Sequence, residues 1–378
     1  MDFKPTSDQQ MLSDSLSRFI AKRYPLESRG KLADTAPGYS VEIWKQIAEL
    51  GALGALFDPE VGGYGGTAGD IATVFEDIGK GAVAAPFLAS LLSGSVLAAS
   101  QSKLAQPLLD AIIAGEAIVA FAHEEPKSRF ELSRVETKAT KSGAGWSLSG
   151  AKAVVSHGDA ADHFVISART SGASADEQGI SLFLVPASAA GLSVNGYVGI
   201  DGARAAEVTL KDVVVDGDHL LCVEGGGFDI LEKVTGLGIV ALCADGVGAL
   251  EVVKEMTGEY LRTRKQFGQT IGSFQALQHR MATVLIEIEQ ARSALINAIA
   301  AMDEPRLVRE RAISAAKYTL GRVGSLVAEE AIQMHGGIGM TWELPLSHYA
   351  KRLIILDHIM GDVDHHLERY VALGRTAA

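Results

Sequence analysis

The chain has 378 residues and a formal net charge of −12 at pH 7. A chain of this length is expected to form roughly two or three domains. Its composition, 47% hydrophobic and 21% charged, is that of an ordinary globular protein. The acidic total argues against a general nucleic-acid binder, because phosphate neutralisation needs clustered Lys and Arg. Cys222 and Cys243 are the only cysteines and form no CxxC pair, so neither a disulfide framework nor a zinc site is indicated.

The beginning of the chain shows no apolar core followed by a small-residue cleavage site, so a secretory signal is not predicted. The longest apolar stretch, residues 82–99, is interrupted by glycine, proline and serine. It therefore does not predict a membrane-spanning helix. These features lead us to expect a soluble, cytoplasmic protein without membrane insertion.

Residues 1–117 are predicted to form an N-terminal helical domain. Its first helix has a candidate cap at Ser7 and an apolar face at helical spacing, made by Met11, Leu12, Leu16, Phe19 and Ile20. A second helix is expected from Ser40 to a glycine stop at Gly51. The glycine-rich run at residues 62–66 lacks a following Lys-Ser/Thr and a preceding strand, so a plain turn is favoured over a phosphate loop.

Residues 118–222 are predicted to form a β-domain. Short β-rich runs alternate there with turn residues, at 135–140, 146–155, 163–170, 180–185 and 206–210. This spacing is typical of a small antiparallel barrel or sandwich.

Residues 223–378 return to a helical period, which predicts a C-terminal four-helix-bundle domain. The expected breaks between its helices are at residues 268–273, 302–305 and 336–345. Helical, β and helical regions in that order indicate an α+β fold rather than an alternating, doubly wound sheet. A nicotinamide-type Rossmann unit is therefore not expected.

A basic, glycine-punctuated segment at residues 262–275 stands out in this acidic chain. Tyr260, Arg264 and Phe267 lie at helix-like spacing, and Gly268 is expected to end the helix. An arginine can fork onto phosphate oxygens and an aromatic ring can pack on a flat base, so the segment suits an anionic ligand with a ring system. A solvated, basic helix end is the alternative.

A second segment, residues 333–340, reads Gln-Met-His-Gly-Gly-Ile-Gly-Met. Its glycines allow a ligand to approach the backbone closely, and Gln333 can donate and accept hydrogen bonds. The pairing of RxxFG with a later QxHGGxG, in a helical region after a β-domain, resembles the acyl-CoA dehydrogenases over essentially the whole chain. That resemblance implies a flavoenzyme that binds FAD between a β-domain and two helical domains.

The resemblance also implies site residues. The RKQFG segment is similar to the one that reaches across a subunit interface to the pyrophosphate and adenosine of FAD, and residues 333–337 resemble its partner on the neighbouring chain. In the β-domain, the run Gly150-Ala151-Lys152 matches the "G-x-K" turn that leads to the flavin. The residues implied for FAD are Arg264, Phe267, Gln275, Gln333, Gly336, Gly337, Ser156 and Glu124.

The β-domain departs from the usual pattern of the family. Where "TEP-x-x-GSD" is common, this chain has Glu124-Glu125-Pro126 followed by a rewritten loop, so Glu124 replaces a hydroxyl residue that normally faces the flavin. Val154 stands where a flavin-stacking Trp is common. The stretch 120–132 most resembles the small subunit of bacterial pimeloyl-CoA dehydrogenase, and related enzymes of steroid side chains pair two unlike subunits.

The catalytic base is the larger departure. Desaturating a thioester requires a carboxylate to take the α-proton while a hydride goes to the flavin. The resemblance implies a Glu at one of two positions, which this chain fills with Met360 and Gly238. Asp245, on an otherwise apolar stretch of the same helix as Gly238, is the remaining candidate base. The alternative is a buried Asp that bonds a neighbouring helix.

The leading interpretation is an FAD-dependent acyl-CoA dehydrogenase subunit that desaturates an acyl-CoA, in a homo- or heterotetramer with a paralogous subunit. Its electron acceptor would be an electron-transfer flavoprotein or a similar protein. The rival is a non-catalytic subunit that completes the partner's FAD site, and a flavin oxidase or monooxygenase is a third option. Asp362 and His366 share a helical spacing, but two ligands do not make a metal site.

Overall fold

The computed structural model describes residues 4–26 and 32–375. The helices are α1 (Ser7–Arg23), α2 (Val41–Glu49), α3 (Ala68–Lys80), α4 (Phe87–Ala98), α5 (Ala105–Ile113), α6 (Phe228–Thr263), α7 (Gln275–Ala301), α8 (Arg306–His335), α9 (Leu346–His358) and α10 (Val363–Arg375). The strands are β1 (Val119–Ala122), β2 (Lys138–Ser142), β3 (Gly145–Ser156), β4 (His163–Arg169), β5 (Ile180–Pro186), β6 (Leu192–Val198), β7 (Arg204–Asp216), β8 (Lys265–Gln266) and β9 (Gln269–Thr270). The expected order of helices, sheet and helices is confirmed.

Two compact units make up the chain. The helical unit consists of Met1–Leu26, Ile71–Val83 and Ile239–Ala378, and the sheet unit of Glu27–Asp70 and Ala84–Gly238. The N-terminal helical region is therefore divided between the units, because α1 and α3 belong with the long C-terminal helices while α2, α4 and α5 belong with the sheet.

A curled seven-stranded sheet forms the centre of the sheet unit. Its strands run in the order β1-β4-β2-β3-β7-β6, and β5 pairs with β4. Alternate residues of each strand point to one side and bury an apolar core. Phe164 and Val208 are fully buried in it, and Trp146 packs edge-on against Phe183 with ring centroids 5.4 Å apart.

Four strands escaped the sequence prediction. Strand β1 is only 4 residues long, and β6 alternates only in its first half, where Leu192 and Val194 pack against the core. Strands β8 and β9 lie where a helix was expected to run to Gly268, but α6 ends at Thr263. The first helix is also capped one residue earlier than expected. Thr6, not Ser7, accepts the Gln9 N–H, and Met11 is 61% exposed although it was assigned to the apolar face.

Other local predictions are confirmed. Ser40 caps α2 by accepting the Ile43 N–H at 3.2 Å, and Gly51 follows its end with a φ of 92°. The glycine run at 62–66 is a turn in which Gly62 and Gly66 have φ angles of 94° and 86°.

The helical unit is built on very close helix contacts. A Cβ added at Gly79 of α3 would lie 1.9 Å from the Asp245 carbonyl oxygen of α6, and one at Gly248 would lie 2.0 Å from the Glu76 carbonyl. Only glycine allows these backbones to touch. Helix α6 has a stretch long and apolar enough to span a membrane, but 83% of it is buried inside the protein, as expected for a core helix.

Candidate functional site

The basic segment after α6 forms a β-hairpin. Strand β8 pairs with β9, and Phe267 and Gly268 make the turn between them with φ angles of 53° and 80°. Two successive left-handed residues are typical of the tight turns that close two-residue hairpins. The turn leaves Phe267 89% exposed, with its ring 6.1 Å from that of Phe274.

Arg264 lies at the base of this hairpin, where its carbonyl oxygen accepts the Ile271 N–H at 2.8 Å. Its guanidinium group is exposed and bonds no side chain in the described part of the chain. The neighbouring Arg262 differs, because it pairs with Glu259 at 3.2 Å. Arg264 is therefore available to an external anion, as is the exposed Lys265 beside it, which also bonds no side chain in the described residues.

The second predicted segment lies at the end of α8. Gly336 ends the helix with a φ of 65°, and a Cβ added at Gly336 or Gly337 would meet no heavy atom within 4 Å. The buried His335 ring stacks on Tyr260, with ring centroids 4.4 Å apart and an interplanar angle of 27°. Within one chain, His335 of the second segment thus contacts Tyr260 at the base of the first. The pairing of the two segments across neighbouring chains stays a prediction.

Gln333 and Gln275 are the remaining candidates of the helical unit. Both side chains are exposed, Gln333 in the last turn of α8 and Gln275 at the first residue of α7. Every candidate cofactor residue of the helical unit is thus at the surface of the chain.

In the sheet unit, Ser156 lies on the face of the sheet opposite the core. Ser156 of β3 and Tyr197 of β6 both pair in register with Ala205 of β7. The next residue of β7, Ala206, points to the other face and is fully buried. Glu207, two residues after Ala205, lies on the same outer face because side chains alternate along a strand. The Ser156 hydroxyl lies 3.2 Å from Nδ1 of the adjacent histidine.

A β-bulge distorts this face. The register of β3 against β7 shifts between Lys152 and Val155, and the Val154 backbone between them is left-handed, with a φ of 53°. The Val154 side chain is 55% exposed, and its N–H donates to Glu207 Oε1 at 3.3 Å. The Ala153 N–H donates to the Glu124 carbonyl at 2.9 Å, which fixes Glu124 beside the bulge.

Negative charge accumulates around the bulge. The Tyr197 hydroxyl donates to Glu207 Oε1 at 3.1 Å. Burial and the charges of Glu207 and Glu124 raise the pKa of Tyr197 to about 12. Sequence analysis missed Tyr197 and Glu207, because neither belongs to a motif and only strand register shows that they face the same way.

Behind the bulge lies a buried polar cluster. Lys152 donates to Glu125 Oε1 at 2.7 Å and to Ser167 Oγ at 3.0 Å, and Ser167 Oγ lies 2.9 Å from His123 Nδ1. Burial lowers the pKa of Lys152 to about 8, against the opposing effect of Glu125. Burial and the Lys152 charge lower the pKa of His123 to about 3. The cluster links β3, which carries Val154, to β4 and to the segment after β1 that carries Glu124.

Asp245 does not have the surroundings expected of a catalytic base. It is 2% exposed, and Arg352 of α9 donates to both of its carboxylate oxygens, with Nε at 2.7 Å from Oδ1. A carboxylate held by two charge-assisted hydrogen bonds is not free to take a proton from a substrate. Of the two interpretations that the sequence left open for Asp245, a base or a buried acid that bonds a neighbouring helix, the geometry favours the second, because Asp245 forms a buried ion pair with Arg352.

The two positions at which the family resemblance places a Glu hold no carboxylate. Gly238 lies within α6, and Met360 sits in a tight turn with a φ of 58°. Buried groups hold this turn: Lys317 donates to the Gly361 carbonyl at 2.6 Å, and His366 Nε2 lies 2.9 Å from the Met360 carbonyl. Asp362 caps α10 by accepting the His365 N–H. In the described part of the chain, no three His, Cys, Asp or Glu residues form a group that could hold a metal ion.

Comparison with known proteins covers nearly the whole chain. The N-terminal, middle and C-terminal domains of acyl-CoA dehydrogenase match residues 6–116, 120–213 and 225–369. The long-chain specific acyl-CoA dehydrogenase of Sus scrofa mitochondria is 30% identical, over 82% of this chain and 73% of that protein. The chain belongs to the acyl-CoA dehydrogenase family.

Solved structures of this family support the same fold. A structure of a "Tcur3481-Tcur3483 steroid ACAD" variant is 26% identical, covers 98% of both chains and superposes with a TM-score of 0.88. An "FAD complex of PigA" is 25% identical, covers 100% of both chains and superposes with a TM-score of 0.91. A flavin cofactor is therefore implied for this member of the acyl-CoA dehydrogenase family.

The residues of the helical unit fit the nucleotide end of FAD. Arg264 offers an unpaired guanidinium for a pyrophosphate, Phe267 offers an exposed ring, and the backbone of Gly336 and Gly337 is open to close approach. The outer face of the sheet fits the flavin ring less well. Ser156 supplies a hydroxyl, but the Glu207 carboxylate lies on the same face, and its negative charge would disfavour a negatively charged, reduced flavin.

Proposed function

We propose that this chain is one subunit of a heteromeric, FAD-dependent acyl-CoA dehydrogenase, and that it binds the nucleotide end of an FAD whose flavin ring lies on a paralogous partner. The observation that carries the proposal is the contrast between the exposed, unpaired Arg264 and the three candidate base positions, of which two hold Gly238 and Met360 and the third, Asp245, is bonded through both oxygens to Arg352. The reaction would be α,β-desaturation of an acyl-CoA, and the bound FAD would supply the hydride acceptor.

The contribution of this chain to binding follows from its helical unit. Charge-assisted hydrogen bonds from Arg264 to a phosphate are worth about 1.5–3 kcal/mol each. Phe267 would cover the adenine ring, because its turn holds the side chain out from the protein. Gln275, Gln333 and the Gly336-Gly337 backbone would complete the contact with hydrogen bonds.

The proton-abstracting carboxylate would come from the partner. Abstraction of an α-proton needs a base with a free oxygen within hydrogen-bond reach. In this chain Asp245 is bonded through both oxygens to Arg352, and Met360 and Gly238 cannot act as bases. One of the similar structures, the "Tcur3481-Tcur3483 steroid ACAD" variant, is named after two proteins, and a divided active site agrees with such a pairing. Electrons would pass on to an electron-transfer flavoprotein or a similar acceptor.

The test uses the complex purified through a tag on this chain, with its flavin counted per chain. We expect fewer flavins than chains and a paralogous companion in equal amount. Arg264→Ala should weaken FAD retention by ~10- to 100-fold on dilution while the complex stays assembled, as expected for the loss of one charge-assisted bond.

Arg262→Ala is the matched control, because Arg262 lies two residues away and pairs with Glu259 on the surface. It should leave FAD retention unchanged. The proposal fails if Arg264→Ala keeps its full flavin content. It also fails if the isolated chain, free of any partner, binds one FAD and is bleached by an acyl-CoA.

A further inference from the structure

The loop that follows the glycines at the end of α8 exposes large apolar side chains at alternate positions. Ile338 is 41% exposed, Met340 80% and Trp342 70%. The hydroxyl and the N–H of Thr341 both donate to the Ile338 carbonyl, at 2.8 Å and 3.1 Å, so the loop is held by its own hydrogen bonds. Large apolar side chains that are exposed side by side usually mark a binding surface.

Trp342 differs from the other two tryptophans of the chain. Trp44 and Trp146 are buried in the sheet unit, with 2% and 6% exposure. Trp342 is held at the surface by two side chains of α9. Lys351 Nζ lies 3.5 Å from the centroid of the indole, and the His348 ring meets it edge-on with ring centroids 5.6 Å apart. The indole is therefore braced by its neighbours, while most of its surface is open to solvent.

Charges of both signs lie beside the exposed ring. Lys351 forms no ion pair or side-chain hydrogen bond in the described residues. Glu343, the residue after Trp342, is exposed and likewise bonds no side chain in that part of the chain. These three groups match the three parts of a ribonucleotide, because a base stacks on an aromatic ring, a phosphate binds an ammonium group and ribose hydroxyls donate to a carboxylate. A purely apolar ligand would leave both charges without a partner.

We propose that Trp342, Lys351 and Glu343 form a binding site for a purine ribonucleotide, whose base stacks on the open surface of the indole. The adenylate end of FAD and a free nucleotide such as ADP share this chemistry. A ribose with a 3′-phosphate, as in coenzyme A, would bring a further negative charge to Glu343 and bind less well. None of the three residues belongs to the hairpin of Arg264, so the site does not depend on the role proposed for that arginine.

Titration of the full chain with ADP tests the stacking directly, because Trp342 is the one exposed tryptophan among three. We expect ADP to abolish most of the acrylamide-accessible tryptophan fluorescence, and ribose 5-phosphate, which has no base, to leave it unchanged. Trp342→Ala should weaken ADP binding in calorimetry by at least ~10-fold, the effect of losing one base stack. Met340→Ala is the matched control, since it truncates another exposed side chain of the same loop. It should leave ADP affinity unchanged.

Two further variants test the charges separately. Lys351→Met keeps an apolar stem against the indole and removes the ammonium group, so ADP affinity should fall by ~10-fold and lose most of its dependence on salt. Glu343→Gln should reduce the preference for ADP over 3′-phospho-ADP by at least ~3-fold, because it removes the repulsion from the 3′-phosphate. Equal affinities of the wild type for these two nucleotides would overturn the proposed site.

Hydroxyl-radical footprinting of the purified complex, read by mass spectrometry of the peptide that contains Trp342, identifies the source of the nucleotide. If the adenylate of FAD occupies the site, Trp342 is protected in the flavin-loaded complex and becomes reactive when the flavin is removed. If a free nucleotide occupies it, Trp342 is protected only after ADP is added. Protection without any nucleotide would mean that another protein chain covers the ring. That result overturns the proposal, as does a Trp342 that ADP and FAD both leave reactive.

Discussion

The candidate cofactor residues of the two units differ in their electrostatics. In the helical unit, Arg264 is an exposed cation without a bonded side chain, next to an exposed ring and open glycine backbone. On the sheet, Ser156 shares its face with Glu207, and burial together with the charges of Glu207 and Glu124 raises the pKa of Tyr197 to about 12. The first arrangement attracts a phosphate, and the second repels added negative charge.

The buried Lys152–Glu125 pair links β3 to the segment that follows β1, behind the bulge. By resemblance, Glu125 and Lys152 match the pattern of the family, whereas Glu124 and Val154 depart from it. Under the proposed function, the difference between the units corresponds to a site divided between two chains, in which this chain contributes the nucleotide end and a partner the flavin end.

The largest expected effect is a loss of stability, and it distinguishes a structural role of Asp245 from a catalytic one. Asp245→Asn would leave the buried Arg352 charge without its counter-charge, and breaking such a pair costs about 3–5 kcal/mol in the free energy of unfolding. Chemical denaturation measures the loss. Asp364→Asn, an exposed residue of α10, should change stability by less than about 0.5 kcal/mol.

Adding Arg352→Met to Asp245→Asn should recover part of this loss, because the second change removes the unpaired charge. If Asp245→Asn is instead as stable as the wild type and abolishes bleaching of the flavin by substrate, Asp245 is the base after all. The helical unit would then supply chemistry as well as binding, and the contrast between the units would fail.

Asp245 also shows how far the sequence can predict a site. Its apolar neighbours correctly indicated burial, but its partner lies 107 residues away, and pairing at that distance cannot be inferred from local pattern. Arg264 and Phe267 were singled out because their motif is local, and their role in binding stays a prediction. Strand β6 was missed because its second half is exposed and shows no alternation. Glu207 could be placed beside Ser156 only once the register of β3, β6 and β7 was known.

The next largest effect is the decrease in the free energy of unfolding of the sheet unit at acidic pH. The pKa of His123 is lowered to about 3, so the folded state keeps the ring neutral while the unfolded chain protonates near its ordinary value of ~6.5. The unfolded state therefore binds more protons between these values, and stability falls as the pH drops from ~6.5 toward 3. At pH 4 the loss is on the order of 3 kcal/mol.

His123→Asn keeps a polar atom near Ser167 but removes this titration, so its unfolding free energy should change less between pH 7 and pH 4. His279→Gln, an exposed histidine of α7, should retain the steep wild-type dependence. Equal slopes for the wild type and His123→Asn would show that the buried cluster does not govern the acid response.

A smaller effect addresses the carboxylates on the sheet directly. Glu124→Thr restores a hydroxyl at the position where the family usually has one and removes negative charge. We expect the isolated chain to bind FAD about tenfold more tightly, equivalent to about 1.4 kcal/mol, with a greater gain for the reduced than for the oxidised cofactor. Anaerobic fluorescence titration of each form measures this.

Glu131→Thr is the control, because it makes the same change of charge on an exposed residue of the following loop. It should leave both affinities unchanged. If Glu124→Thr binds FAD no better than the wild type, negative charge is not what keeps the flavin ring off this sheet.

The smallest effect tests the strain stored at the bulge. Val154 has a left-handed backbone, which costs a β-branched residue about 1–2 kcal/mol, and its exposed side chain loses little burial when removed. Val154→Gly should therefore raise the free energy of unfolding by about 1 kcal/mol. Val214→Gly, in the regular strand β7 with a side chain that is 62% exposed, should lower it by about 0.5–1 kcal/mol.

If the two valine substitutions change the free energy of unfolding in opposite directions, the Val154 backbone is strained and its strain lowers stability. Strained backbone persists at sites where it fixes a ligand contact, and here the bulge holds the Val154 N–H on Glu207 and the Glu124 carbonyl on Ala153. A loss of stability in both variants would instead mean that the left-handed valine is well accommodated. The bulge would then be ordinary sheet geometry, and the carboxylates beside it would need another explanation.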